Sequence, residues 1–181
     1  MISSLRRYKS NFPSISSNTY IDASSVLIGE ITIGQDSSVW PLVVARGDVN
    51  SISIGNRTNI QDGSVLHVTH KNPENPKGAP LVIGNDVTIG HKVMLHGCVI
   101  EDRVLVGMGS IILDNAYIEA DVMIGAGSLV PPNKRLESGY LYIGSPVKQV
   151  RPLSIEEIAS LKKSALNYVN FKNDYIEEEI N

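Results

Sequence analysis

Four histidines, His67, His70, His91 and His96, fall within thirty residues of a 181-residue chain. Imidazole is a good ligand for divalent transition metals, so such clustering raises metal binding, which spacing must test. His67 follows Leu66 and His96 follows Leu95, and the two histidines are 29 residues apart. His91 sits two residues after Ile89. Three neutral imidazoles on one ion leave a fourth tetrahedral position for water, the open type of site that brings the water's pKa to about 7. Zinc, iron(II) and cobalt(II) all accept that donor set.

The elements that must position these residues are set by a period of six. Ile100, Val106, Ile112, Ile118, Ile124 and Val130 form one series, with Val104, Ser110, Ala116, Val122 and Ser128 four positions after its members. Earlier series run Ile21, Leu27, Ile33, Val39 and Ala45, then Ile54, Ile60 and Leu66, then Ile83, Ile89 and Leu95. A helix would need a period of 3.6, and hairpins would need turns every 8–12 residues. A short strand and a tight corner, repeated, fit six. Three such faces make a triangular coil of eighteen residues, and stacked coils pair as parallel strands about 4.8 Å apart.

The breaks in phase matter as much as the period. Leu66 to Ile83 spans seventeen residues, one repeat plus eleven, and the surplus falls in a proline- and asparagine-rich stretch over 68–80, read as a protruding loop. Removing eleven from the 29 between His67 and His96 leaves eighteen, one coil, so these two should stack at the same corner. His91 lies on the preceding face, about 16 Å of extended chain from His96. The simplest way to complete a three-histidine site is a neighbouring copy in a three-fold trimer. His70 breaks register and is read as solvated, and Cys98 as a small buried residue.

The repeat is expected to end near Val130-Pro131-Pro132, followed by a connector. Ser154-x-x-Glu157 reads as a capping box opening a helix over 154–178, with Ile158, Leu161, Ala165 and Tyr168 on its inner stripe and Leu166 and Val169 widening it. Its acidic end, Glu177-Glu178-Glu179, opposes the helix dipole and should fray. The organisation is one domain, a β-solenoid over 1–153 carrying the helix 154–181.

Composition narrows the function. Sixteen basic against nineteen acidic residues, net −3, offer no basic surplus for nucleic acid or an acidic membrane. No run approaches 18 apolar residues, and Met1–Arg7 has charge without an apolar stretch behind it, so a cytoplasmic protein is expected. One cysteine excludes an internal disulfide.

The segments Arg46-Gly47-Asp48, Asn59-Ile60-Gln61-Asp62-Gly63, Leu66-His67-Val68, Gly90-His91-Lys92-Val93-Met94-Leu95-His96-Gly97-Cys98, Val106-Gly107-Met108-Gly109-Ser110 and Gly144-Ser145-Pro146-Val147-Lys148 resemble the gamma-class carbonic anhydrases, most closely their YrdA-like branch. The resemblance implies a left-handed parallel β-helix, a homotrimer, and metal held by His67, His91 and His96 with His91 contributed across the interface. It implies hydration of carbon dioxide to bicarbonate. It also implies roles near the metal for Gln61, whose amide could orient hydroxide or carbon dioxide, and for Asp62, Tyr168 and an Arg46–Asp48 ion pair. The chain departs from the best-known active members in lacking an acidic loop with a proton-shuttling glutamate; the loop after His67 offers only Glu74 and His70, which points to weak or latent turnover. Many hexapeptide proteins are acyltransferases with a single base histidine, and others could serve as metal-binding scaffolds, so both stand as alternatives.

Overall fold

The computed structural model describes residues 4–180, the side chains as far as Glu178. The chain is a parallel β-solenoid of about 8 turns with one C-terminal helix. Its two hydrogen-bonded sheets make three faces. The first face stacks Val26, Val44, Val65, Met94, Ile111 and Leu129 in register, and the second stacks Ile33, Ile54, Ile83, Ile100, Ile118 and Leu136. These two faces form one twelve-stranded sheet, because the strands Val26–Ile33 and Val44–Ile54 run unbroken around the edge between them. The third face, an eight-stranded sheet, stacks Ile21, Val39, Ile60, Ile89, Val106, Ile124 and Tyr142.

The six-residue series builds the core. Ile100, Val106, Ile112, Ile118, Ile124 and Val130 are fully buried, and Val104, Ser110, Ala116, Val122 and Ser128 fill the space between them at 1% exposure or less. Burying each such aliphatic side chain contributes about 1.5–3 kcal/mol. Corners turn through left-handed residues: Arg57 and Arg103 adopt φ of 53° and 56°, and their N–H groups donate to the corner carbonyls of Gln35 and Asn85 on the coil before, at 2.9 Å in both cases. The turn and the rung between coils are thus made by the same residue.

The repeat outlasts Pro131-Pro132. Leu136, six after Val130, is fully buried, and Tyr142, six further on, is 3% exposed. The prolines sit at a corner, where no strand bond needs their missing N–H, and Lys134 N–H closes the turn onto the Pro131 carbonyl. What was expected to be a connector is an antiparallel hairpin, Tyr140–Gly144 with Val147–Pro152, which caps the third face. The long stretch 68–80 is a loop as expected, but its base is pinned: Thr69 and Ala79 form an antiparallel bridge, and Val68 and Ala79 are buried.

The helix spans Ile155–Ile180 and lies along the third face. Its start is the capping box: Ser154 N–H donates to Glu157 Oε2 at 2.9 Å, and Glu157 N–H to Ser154 Oγ at 3.2 Å. Two hydrogen bonds from Arg151 to Glu157, with the Ser154 N–H, hold that carboxyl down at about 2. Leu161 and Ala165 are buried, in line with the spacing, whereas Leu166 is 40% exposed and does not join the stripe. The inner stripe is continued two turns after Ala165 by Lys172, fully buried, whose ammonium bonds Asn173 Oδ1 at 2.5 Å and lies 3.5 Å from Asp36. The helix is continuous through Glu177 and Glu178 to Ile180, and an exposed carboxylate at this end opposes the dipole by only about 0.3–1 kcal/mol.

Candidate metal centre

Two edges of the first face carry the candidate residues. At the edge shared with the second face, His67 and His96 are paired across adjacent coils by strand register, their rings 5.1 Å apart and tilted by 59°. Leu66 and Leu95 point inward, so the next residue on each strand points out, and coil stacking brings the two rings together. His67 Nδ1 lies 3.2 Å from His96 Nε2. The other nitrogen of each ring meets a carboxylate: His67 Nε2 at 3.0 Å from Asp48 Oδ1, and His96 Nδ1 at 2.5 Å from Asp114 Oδ1.

These contacts assign the protons. An ionised carboxylate only accepts, so the nitrogen facing it carries hydrogen. In the neutral rings His67 Nδ1 and His96 Nε2 are then both bare lone pairs, aimed at one another. Such a pair needs a positive centre between them, a proton or a metal ion. Two nitrogens on one tetrahedral zinc, each about 2.0–2.1 Å from it, are about 3.3 Å apart. The observed 3.2 Å therefore fits the edge of a metal site, with the carboxylates holding each ring's orientation from behind.

Asp48 also pairs with Arg46 within the chain. Burial pushes the Asp48 carboxyl up, but the His67 hydrogen bond and the Arg46 charge outweigh it and leave it below the usual carboxylate range. Asp114 accepts a second bond, from Thr69 Oγ1 at 2.9 Å, which ties it to the base of the 68–80 loop.

The first face's other edge, shared with the third, carries His91. Lys92 N–H donates to the Asp62 carbonyl at 2.9 Å, which sets His91 one coil from Asp62, and His91 Nδ1 lies 2.9 Å from Asp62 Oδ2. Its Nε2 is the ring nitrogen not engaged by Asp62, on a side chain 46% exposed. Tyr168 reaches this edge from the helix; burial, then the Asp62 charge, raise its phenol. Gln61 is buried, its amide nitrogen donating to Asn59 Oδ1 at 3.0 Å. His70 and Glu74 are exposed on the loop, and Cys98 is buried, its thiol pushed up by burial. Among the described residues no three His, Cys, Asp or Glu side chains of one chain are arranged so that they could hold a metal ion together.

Asp114 and Thr69 were not singled out from sequence. Asp114 lies eighteen residues after His96, and the same coil arithmetic that pairs the two histidines reaches it.

The fold and this donor set define a hexapeptide-repeat β-solenoid bearing imidazole–carboxylate pairs on two of its edges. The family described as bacterial transferase hexapeptide (six repeats) matches residues 97–132. Protein YrdA of Escherichia coli is 65% identical over 96% of this chain and 95% of its own, and a carbonic anhydrase of Geobacillus kaustophilus is 43% identical over 90% and 85%. Among solved structures, a hexapeptide transferase family protein of Anaplasma phagocytophilum superposes with a TM-score of 0.88 at 40% identity, covering 94% of this chain and 97% of that one. The chain belongs to the gamma-class carbonic anhydrase family, in its YrdA-like branch.

Proposed function

We propose that the chain is a metal-dependent lyase of the carbonic anhydrase type, converting carbon dioxide to bicarbonate in a homotrimer. The observation that carries this reading is the 3.2 Å approach of His67 Nδ1 and His96 Nε2, with a carboxylate on the other nitrogen of each ring. The ion is zinc, with iron(II) and cobalt(II) compatible. His67 and His96 of one copy hold it with Nε2 of His91 from the next. Between those two edges the first face exposes Val65, Met94 and Ile111, an apolar ladder suited to burial against a neighbour. One edge of each copy meeting the other edge of the next is a head-to-tail contact, which closes into a trimer when successive copies are related by a third of a turn.

When bound, the metal supplies hydroxide at neutral pH from water. The chain's residues do the rest. Asp48, Asp114 and Asp62 each take the hydrogen of one imidazole and fix its rotation. Arg46 keeps Asp48 ionised. Tyr168 closes the pocket wall beside Asp62, and the buried Gln61, its amide nitrogen held on Asn59, precedes Asp62 at the same corner. His70 and Glu74, exposed on the loop, are the candidates to pass the proton to solvent, and a loop with so few proton-accepting side chains fits slow turnover.

Elemental analysis of anaerobically purified protein, paired with a carbon dioxide hydration assay, tests the proposal. About one metal per chain with hydration above background is expected. Metal-loaded protein without hydration would remove the anhydrase assignment and leave the site. The second reading, acyl transfer using the His67–Asp48 pair as base, is supported by the transferase naming of the solved relative. Acetyl-CoA consumption that His67→Ala abolishes would favour it.

A further inference from the structure

We propose that the cavity between the helix and the His91 edge binds a small alkylated ammonium ion. The cavity holds about 370 Å³ and is lined by Trp40, Asp62, Tyr168, Phe171, Asp174 and Tyr175. Four of its walls are aromatic, the other two are carboxylates, and no basic side chain lines it.

The rings stand nearly perpendicular to each other. Trp40 meets Tyr168 at 5.6 Å and 79°, and Tyr175 at 5.1 Å and 84°; Tyr168 meets Phe171 at 5.6 Å and 82°. Each pair meets edge to face, so the rings brace one another as a fixed aromatic lining, and aromatic faces carry negative potential. Trp40 is held rigidly in place, because its indole N–H donates to Ser38 Oγ at 2.9 Å and Tyr20 backs it at 5.4 Å. Phe171 and Tyr175 remain about half exposed, so the space opens to solvent.

The lining selects by charge. An anion would meet two carboxylates and the electron-rich faces. A small inorganic cation would have to shed strongly held water against apolar walls. An alkylated ammonium is weakly hydrated, apolar on its surface and positive, which matches both kinds of lining group. The volume lies at the small end of ligand pockets, enough for a group of choline size. The inference does not rest on the metal: Asp62 and Tyr168 also border the proposed metal pocket, but Trp40, Phe171, Asp174 and Tyr175 have no part in that reading.

Trp40 is the chain's only tryptophan, so its emission reports this cavity alone. Full-length protein, both chelator-treated and metal-loaded, is titrated with choline and with its neutral isostere 3,3-dimethylbutan-1-ol. Choline should change the emission saturably in both forms, with the alcohol binding about tenfold more weakly. Asp174→Asn and Tyr175→Ala should each weaken choline about three- to tenfold, with far-ultraviolet circular dichroism and particle size unchanged. No saturable response at millimolar choline, equal binding of the alcohol, or choline binding unaffected by both variants would overturn the inference. Protein that hydrates carbon dioxide but ignores choline loses this inference alone, and protein that binds choline but takes up no metal loses only the metal reading.

Discussion

Three pairs of residues, each 29 apart in sequence, span the same two coils at the three edges of the prism. At one edge Arg57 gives Asp86 two hydrogen bonds, of 2.7 and 2.8 Å. At the next, Asp62 faces His91 at 2.9 Å. At the third, His67 faces His96 at 3.2 Å. The backbone geometry is shared, so side-chain chemistry alone separates them. Arg57 and Asp86 match two donors to both carboxylate oxygens, with no lone pair left facing another. Asp62 and His91 leave one ring nitrogen. His67 and His96, with Asp48 and Asp114 behind them, leave two nitrogens sharing one gap. The solenoid provides equivalent scaffolding at every edge, and a site arises where the stacked pair fails to satisfy itself.

The sharpest way to break the comparison is to empty that gap. His67→Ala should abolish stoichiometric metal in elemental analysis while light scattering still reports the assembled particle; disassembly would make the ion structural instead. Asp114→Asn keeps both histidines and should lower metal affinity about 10–100-fold in a chelator competition. An unchanged affinity would mean that His96 is oriented by something other than Asp114.

The closed edge should behave in the opposite way. Arg57→Ala leaves Asp86 buried without its partner and should cost about 1 kcal/mol in denaturant melts, a figure kept low because Arg57 is partly exposed, with metal content unchanged. The smallest effect is expected far from all three edges. Glu157 has its carboxyl held at about 2 against an ordinary 4.5. A depressed acid stabilises the fold above its unfolded value, so its contribution is complete above about pH 4.5 and fades as pH falls towards 2. Glu157→Gln should therefore melt slightly below the parent at neutral pH, the gap closing as pH falls from 4.5 to 2; a constant gap would assign the effect to helix capping geometry rather than charge.

Much of this was legible from residue spacing. Period six with Leu66 and Leu95 pointing inward forces His67 and His96 outward at one edge, because side chains alternate along a strand. The pairing was readable once the eleven extra residues were set aside. Leu136 and Tyr142 escaped because two prolines look like a terminator, although a proline at a solenoid corner interrupts no ladder. Lys172 escaped because a lysine on a helix is normally solvated, and its burial depends on Asp36, far away in sequence. Asp114 was hidden for a different reason: an aspartate at a β-corner is ordinary turn chemistry, and only the imidazole one storey below turns it into a ring-orienting acceptor.

The pinned base of the 68–80 loop has a consequence for how such proteins are recognised. Because Thr69 and Ala79 clasp its ends, the intervening segment can lengthen or shrink without shifting a single rung. A search template with fixed gaps between histidines would miss any cousin whose excursion differs in length, while one that counts storeys would find it.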